Sequence, residues 1–422
     1  MHKSKRVLLM TPPQPPLGTS PMHYGDGRPM LGLGFLAAYI EKFGHRARII
    51  DNFIEPHDTE QEISRFQPDF IGLYVNTTSY MMALKLIREI RKTTQIPIIC
   101  GGPHASILPD TLVDFADYVV VGEGERALKA IIETAPKEKI IRYAFIKDLD
   151  MLPWPDYSHF IDNPHNWKLT LFNDEAEPVL TMNTSRGCPY RCTFCSVEAV
   201  WGKSYRVFSA SRIVEEIEHL MAQYGAKGIY FREDNFTAHR KRLAEFCGLI
   251  EQKKLQFVWT CETRADLEDH FIERMAKTGC HGVYVGLENG CQRILDLMNK
   301  NISLGQIRKF FKRCRKAGIK TYASVCYGIP GETENDRKIS EEFLLEVAPD
   351  ALDRFVYTGL PGSPLYKYIK ENKLYYHIDE SRFLYTDSFK ELIPRYCPAT
   401  DNRVNFLRRQ DRSLKMRRRK VK

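Results

Sequence analysis

The stretch Thr184-Ser-Arg-Gly-Cys188-Pro-Tyr-Arg-Cys192-Thr-Phe-Cys195 decides how this chain is read, because three of its eleven cysteines fall within eight residues there. It follows a strand-like run, Pro178-Val-Leu-Thr-Met-Asn-Thr184, which predicts that the cysteines sit on the loop leaving the first strand of a domain. Cysteines at i, i+4 and i+7 on a short loop can wrap their thiolates around one corner of a metal centre, and soft sulfur ligands favour zinc or iron-sulfur. A closed structural zinc site takes four ligands. Three cysteines on a 4Fe-4S cluster leave one iron open to a substrate or cofactor. The bland alternatives are a trio of free thiols or a zinc knuckle lacking a ligand.

Downstream, strand and helix patterns alternate. Helices are predicted near 209 to 223, 238 to 252, 268 to 278 and 303 to 317, and strands near 227 to 231, 256 to 260, 281 to 285, 319 to 325 and 354 to 358. With the strand before the cysteines this makes six βα units, a partial TIM-type barrel, in which chemistry is carried at the strand ends. Those ends read Glu233-Asp234-Asn235-Phe236, Cys261-Glu262-Thr263-Arg264-Ala265-Asp266, Gly286-Leu-Glu288-Asn-Gly290 and Gly328-Ile-Pro-Gly-Glu-Thr333.

Upstream, residues 5 to 134 read as an open α/β domain, since short apolar runs alternate with amphipathic segments. The runs are Arg6 to Met10, Ala47 to Ile50, Phe70 to Val75, Pro97 to Cys100 and Tyr118 to Val121. Helices are predicted near 31 to 43, 58 to 66, 79 to 93 and 108 to 115, with Gly44 as the stop after the first. Five parallel strands with crossover helices make a Rossmann-like sheet, which binds ligands at the carboxyl ends of its strands. There the sequence offers Asn76-Thr77-Thr78-Ser79, Gly101-Gly102-Pro103-His104-Ala105 and Gly122-Glu123-Gly124-Glu125. Glycine permits close approach of a large ligand and the hydroxyls supply hydrogen bonds. From about 135 to 175 periodicity is lost, and Leu152-Pro-Trp-Pro-Asp-Tyr-Ser-His-Phe160 reads as a rigid aromatic connector.

CxxxCxxC with Phe194 just before its last cysteine resembles the signature of the radical S-adenosylmethionine (SAM) superfamily, and the resemblance runs through most of the chain. It implies a 4Fe-4S cluster on Cys188, Cys192 and Cys195, whose open iron takes the amino and carboxylate groups of SAM and whose reduction releases a 5′-deoxyadenosyl radical. By the same resemblance Asp234 and Asn235 meet the methionine amino group. Glu262 and Arg264 face the ribose and carboxylate, Glu288 is an acid near the same site, and Gly328 and Ile329 lie where adenine stacks. The chemistry is sensible, because SAM presents an ammonium, a carboxylate and a ribose diol. The loops Val75 to Ser79, Gly101 to Ser106 and Val119 to Glu125 look like the cobalamin-binding domain that precedes the barrel in one large subfamily. The resemblance implies cobalamin contacts at Thr77, Thr78, Ser79, Gly101, Gly102, Gly122, Glu123 and Gly124. The Asp-x-His-x-x-Gly loop that places a histidine on cobalt is absent, and Thr11-Pro-Pro-Gln-Pro-Pro-Leu-Gly18 stands there instead. His23 and His104 are expected to be loop or supporting residues rather than cobalt ligands.

The expected organisation is α/β throughout. A Rossmann-like cobalamin-binding-type domain takes 1–140, a linker 141–175, and the partial (β/α)6 radical SAM barrel 176–360. A C-terminal cap takes 361–407, containing the aromatic stretch from Tyr375 to Tyr385, and a basic tail 408–422. The chain of 422 residues has a formal net charge of +9, of which Arg408 to Lys422, with nine Lys or Arg against Asp411, supplies +8. The rest is near neutral, so the charge predicts a solvated tail rather than a nucleic-acid surface. No run of 18 apolar residues occurs, which predicts a protein off the membrane, and eleven cysteines without a regular framework predict reduced thiols in the cytoplasm. The resemblance implies an enzyme on a small-molecule or natural-product-type substrate with an electron donor such as flavodoxin or ferredoxin, most simply a cobalamin-dependent methyltransferase. A cobalamin-free radical SAM deoxygenation, dehydration or rearrangement shares every barrel motif. An RNA methylthiotransferase would need a second cysteine trio upstream, where only Cys100 stands.

Overall fold

A computed structural model describes residues 3–13, 29–160, 176–357 and 359–374. Within these, two compact units form, one from the stretches Met1–Gly187 and Ser196–Tyr230, the other from Cys188–Cys195 and Phe231–His377.

The first unit opens with β1 (Arg6–Met10), α1 (Leu31–Glu41), β2 (Arg46–Ile50), α2 (Thr59–Phe66), β3 (Phe70–Tyr74), α3 (Tyr80–Thr93), β4 (Ile98–Gly101), α4 (Pro103–Ile107), β5 (Tyr118–Val121), α5 (Gly124–Thr134) and β6 (Ile140–Arg142). The strands pair in parallel in the order β2-β1-β3-β4-β5-β6. Val7, Leu8, Ile71 and Ile98 are wholly buried, as strands covered by helices on both faces require. The order reverses between β1 and β3, and ligands of such sheets bind beyond the strand ends at that switch.

Two expectations are corrected here. A sixth strand lies within the stretch read as aperiodic: β6 is an edge strand of only Ile140-Ile-Arg142, too short to show a period. The helix expected over 108 to 115 is instead α4, begun by Pro103, which needs no N–H partner at a first turn, and followed by a single 3₁₀ turn at Pro109–Thr111. The helix α5 was not expected at all, although Leu128, Ile131 and Ile132 mark its buried stripe.

The same unit continues through β7 (Val179–Met182), β8 (Ser185–Arg186), α6 (Val197–Trp201), β9 (Arg206–Val207), α7 (Ala210–Tyr224) and β10 (Gly228–Phe231). β10 lies beside β7, and β8 pairs antiparallel with β9. The aromatic connector is packed into this unit. Trp154 stacks on His219 with centroids 4.8 Å apart, and the buried Tyr157 hydroxyl lies 3.0 Å from the Thr181 carbonyl and 3.1 Å from Glu216, whose carboxyl burial pushes up to about 7.

The second unit contains α8 (Arg240–Lys253), β11 (Val258–Thr263), α9 (Asp269–Lys277), β12 (Cys280–Glu288), α10 (Gln292–Leu297), α11 (Leu304–Ala317), β13 (Lys320–Tyr327), α12 (Glu334–Val347), β14 (Ala351–Val356) and α13 (Pro364–Glu371). β11, β12, β13 and β14 are successive parallel neighbours. Counting β7 and β10, six strands alternate with helices along the chain. Period-two alternation sorts the side chains: Val283, Val285, Leu287, Ala323, Val325 and Tyr327 are buried, while Glu262, Tyr284, Gly286, Glu288, Tyr322, Ser324 and Cys326 share the other, half-open face. The helix α12, absent from the sequence reading, is announced by a capping box between Thr333 and Asp336. His23, the aromatic stretch after Tyr375 and the basic tail lie outside the described residues.

Candidate functional site

In the second unit the cysteine loop is pegged from several sides. The Thr193 N–H donates to the Met298 carbonyl at 2.9 Å, the Leu365 N–H to the Thr193 carbonyl at 2.8 Å, and the Asn299 amide to the Arg191 carbonyl at 2.7 Å. Cys188, Cys192 and Cys195 make no disulfide and are half-buried. Burial pushes the Cys188 thiol up, with Asp234 and Cys192 adding to the rise, so deprotonation there calls for a cation or metal.

Arg264 backs this loop. Its Nη1 lies 3.7 Å from the Cys192 sulfur, its Nε donates to Asp266 at 2.9 Å, its Nη2 donates to the Lys300 carbonyl, and its guanidinium covers the Tyr190 ring at 3.8 Å. These bonds occupy the side chain expected to face the SAM carboxylate and make it a support of the cysteine loop.

Asp234 touches solvent on one side but is crowded by protein on the others, and burial, with Glu262 and Glu233 nearby, pushes its carboxyl up to about 7. A cation placed there would restore its charge. Asn235, 1% exposed, has its Nδ2 without a partner among the described residues while its Oδ1 accepts from Thr237 at 3.0 Å. An orphaned buried amide beside a crowded acid fits a ligand bearing both acceptors and positive charge.

Glu288 ends β12 with φ at +67°, unusual for a residue with a side chain, and pairs with Lys300 at 2.8 Å. A Cβ on Gly286 would stand 2.5 Å from a Glu288 carboxylate oxygen, so glycine makes room for this pair. Lys300, 5% exposed, was not singled out from the sequence, since a lone lysine after a helix carries no local signal. Gly328, at φ +83°, donates its N–H to Glu332 at 2.5 Å. Ile329 is 1% exposed and packs with Ile294, Met298 and Leu365, with Phe194 against the same cluster. Its side chain is core, leaving only its backbone for adenine.

The first unit holds a cavity of about 320 Å³ at the carboxyl ends of its sheet. Gly72, Gly101, Gly102, Gly122 and Gly124 line it together with Leu9, Tyr74 and Trp201. A Cβ on Gly72 would meet Leu9 at 2.6 Å, and one on Gly102, where φ is +100°, would meet the Val75 carbonyl at 2.8 Å. Thr77, Thr78 and Ser79 are not in its lining: the Thr78 hydroxyl and the Ser79 backbone N–H each donate to the Asn76 side-chain oxygen at 2.7 Å, and the Thr77 hydroxyl lies 3.4 Å from His104. His104, fully buried, is held by Thr111 at 2.9 Å and packs at a tilt against the Tyr80 ring, with centroids 4.4 Å apart.

Glu123 lines the cavity but its carboxylate is committed. It accepts from Arg186 and Arg206 at 2.7 Å each and from the Ile146 N–H at 2.6 Å, while Arg186 also pairs with Glu125 at 2.5 Å. Burial raises the Glu123 carboxyl, and the two arginines with the Ile146 bond outweigh it, holding it below its ordinary range. Arg186 and Arg206, missed in the sequence reading, are the fixed framework of this wall.

Two family descriptions match the chain: the radical SAM superfamily over residues 182–344 and the B12 binding domain over residues 24–132. The chain thus carries a radical SAM domain behind a B12-binding domain. It is 29% identical over 402 residues to an uncharacterized methyltransferase of Pyrococcus horikoshii, covering 88% of this chain and 84% of that one. It is 24% identical to an anaerobic magnesium-protoporphyrin IX monomethyl ester cyclase of Rubrivivax gelatinosus, over 84% of this chain and 69% of that one. Its fold is that of the radical SAM methyltransferase TsrM of Kitasatospora setae, solved with cobalamin and a [4Fe-4S] cluster, at a TM-score of 0.70 and 19% identity over 89% of this chain and 80% of that one. Among the described residues no helix is long and apolar enough to cross a membrane.

Proposed function

We propose that this radical SAM enzyme abstracts a hydrogen from an unactivated carbon of a small molecule and methylates that carbon in a cobalamin-dependent reaction. The observation that carries the cobalamin half is the glycine-walled cavity at the switch point of the first sheet, because the barrel motifs alone serve any radical SAM outcome. At about 320 Å³ it lies at the lower end of ligand pockets, which run from roughly 300 to 1,000 Å³. That volume would admit part of a corrinoid. Gly72, Gly101, Gly102 and Gly122 are the positions where a side chain would fill it or clash. His104 is already bonded to Thr111 and packed on Tyr80, which supports a cobalt without a protein histidine.

When bound, the cluster and cobalamin would supply the electron that cleaves SAM and a transferable methyl group. The chain's own residues then do four things. Cys188, Cys192 and Cys195 would hold the cluster, and Arg264, beside the Cys192 sulfur, would compensate thiolate charge there. Asp234, with the Asn235 amide beside it, takes the methionine ammonium. Glu262 offers a half-buried carboxylate to the ribose, and the Glu288–Lys300 pair keeps the acid at the end of β12 in place. Gly328 lets the backbone approach the adenine. The protein thus contributes alignment and exclusion of water, and the cofactors contribute the bond chemistry. An external one-electron donor of the flavodoxin or ferredoxin type is required.

The test is anaerobic reconstitution with iron, sulfide and hydroxocobalamin, followed by cobalt analysis after gel filtration and by transfer of labelled methyl from SAM. Absence of retained cobalt overturns the methyl-transfer reading. A cobalamin-free radical reaction would then take over, a reading favoured by the relative named a cyclase rather than a methyltransferase. The methylthiotransferase reading has no second cluster site among the described residues: Cys100 is buried in β4 and its thiol is pushed up to about 12 by burial.

A further inference from the structure

The half-open face of β11 to β14 carries polar groups beyond the SAM-facing acids. Register places Glu262 beside Tyr284 and Tyr284 beside Tyr322, so an acid and two phenols form one row across three strands. One layer further along β14, Asp353 pairs in register with Ser324, and the Tyr322 hydroxyl donates to its Oδ2. The two tyrosine rings lie 5.1 Å apart and tilted by 49°, so they present a corner of π-faces rather than a closed stack. Asp353 is exposed, and its Oδ1 has no partner among the described residues. Phe355, in register beside Cys326 on the same face, is 54% exposed. Below the row, Thr260 is 7% exposed and its hydroxyl has no partner among the described residues; it stands opposite Gly282, where no side chain can reach it.

Glu288 is neutralised by Lys300, and Lys320 at the opposite end of β13 lies 3.8 Å from Asp350. Asp353 stands beside Tyr322 as an exposed acid. A carboxylate beside aromatic faces is an arrangement that attracts a cation, through the ring quadrupoles and a charge-assisted hydrogen bond together. A substrate carboxylate or phosphate would be repelled.

We propose that Tyr284, Tyr322 and Asp353 are the substrate-selecting patch of this enzyme, and that the substrate carries a protonated amino group which lies against the tyrosine rings and bonds to Asp353. This rests on the radical SAM reading above, since that reading makes this face the one where a substrate carbon would be presented. Tyr322 holds Asp353 through its hydroxyl. Tyr284, next to Glu262, ties the patch in register to the strand whose end carries the SAM-facing acids. The unpartnered Thr260 hydroxyl offers one further hydrogen bond to the substrate at the floor.

The experiment uses the full chain with its cluster reconstituted anaerobically, ligand-observed saturation-transfer NMR at pH 7, and two probes of matched shape, 2-phenylethylamine and the uncharged 2-phenylethanol. The amine is expected to bind at least about fivefold more tightly than the alcohol, the discrimination of one charge-assisted bond. In Asp353→Asn that preference collapses to within about twofold, and Tyr284→Leu weakens both probes together because it removes shared ring surface. A purely structural tie between β13 and β14 would not alter the preference of amine over alcohol. Equal binding of both probes by the unsubstituted protein, binding of neither, or an unchanged preference in Asp353→Asn overturns the proposal. Failure of the parent reading would register elsewhere, as absence of 5′-deoxyadenosine from the unsubstituted protein with dithionite, which this binding measurement does not involve.

Discussion

Binding of SAM is expected to release a proton from Asp234, and the size of the release follows from its surroundings. Burial, Glu262 and Glu233 push this carboxyl up to about 7, so the ligand-free enzyme holds roughly 0.9 proton on it at pH 6 and 0.1 at pH 8. An ammonium seated against Asp234 favours the ionised form and returns it toward the ordinary carboxylate value, 3.8. Uptake of SAM at pH 6 therefore expels close to one proton, and uptake at pH 8 almost none. Solvent reaches one side of the carboxylate, and a full unit of screening would still leave about half a proton to be released at pH 6. Calorimetric titration of the oxidised, cluster-loaded protein with SAM in two buffers of different ionisation enthalpy reads this number directly. Asp234→Asn abolishes the buffer dependence and weakens binding. The sign for stability is the reverse of a salt-bridged acid: a raised folded pKa means the ligand-free fold loses stability as pH rises from about 4 to about 7. Asp234→Asn should accordingly flatten the melting temperature over that interval. Buffer-independent heats at pH 6 in the unsubstituted protein would refute the assignment of Asp234 to the ammonium.

Four further outcomes are expected. Replacing any of Cys188, Cys192 or Cys195 by Ala abolishes reductive SAM cleavage, and zinc in place of iron in anaerobically purified protein would contradict the cluster. Gly102→Val, at φ +100° with the Val75 carbonyl 2.8 Å from the new Cβ, removes cobalt retention on gel filtration while leaving iron content unchanged. Arg186→Ala strands Glu125 in the wall of the first unit and takes from Glu123 one of its two arginines, and costs about 3 kcal/mol or more, read by denaturant melts. Because the Glu123 carboxyl is held below 4.5, its share of that stability is present above that pH and fades as pH falls through its depressed value. Deleting Arg408 to Lys422 leaves turnover within about twofold, since a tail so rich in charge has little apolar surface to dock.

Strands were legible where apolar runs were dense. β1 and β5 match the runs Arg6 to Met10 and Tyr118 to Val121 residue for residue, because a strand buried on both faces must be apolar throughout. β6 was not legible, since three residues at a sheet edge show no period, and α4 was misplaced because Pro109 was read as lying within a helix it ends. The cysteine spacing located its loop directly, but nothing local marked Arg264 as the residue behind Cys192 or Lys300 as the partner of Glu288. Those pairs join positions 72 and 12 residues apart and exist only once the cysteine loop meets the end of β11 and the segment after α10 folds back on the end of β12.

The same limit explains the threonines. Thr77, Thr78 and Ser79 were drawn to a cofactor by their hydroxyls, yet the Thr78 hydroxyl donates to the Asn76 side chain and the Ser79 hydroxyl to the Asn76 carbonyl, the competition that makes such residues turn formers. The glycines beside them behave differently, because a missing side chain cannot be satisfied locally. Gly72 and Gly102 matter through the Leu9 side chain and the Val75 carbonyl that a Cβ would strike, which are fixed by the sheet and not by neighbours in sequence. A hydroxyl in a loop is therefore weak grounds for a ligand contact, and a glycine at a strand end is stronger. On the barrel side the informative pattern is the break in alternation: β12 and β13 bury every second residue, and the rows between them hold glycine, acid and tyrosine where an ordinary core would hold valine. Strands spend polar groups on a half-open face only where something other than protein completes the packing.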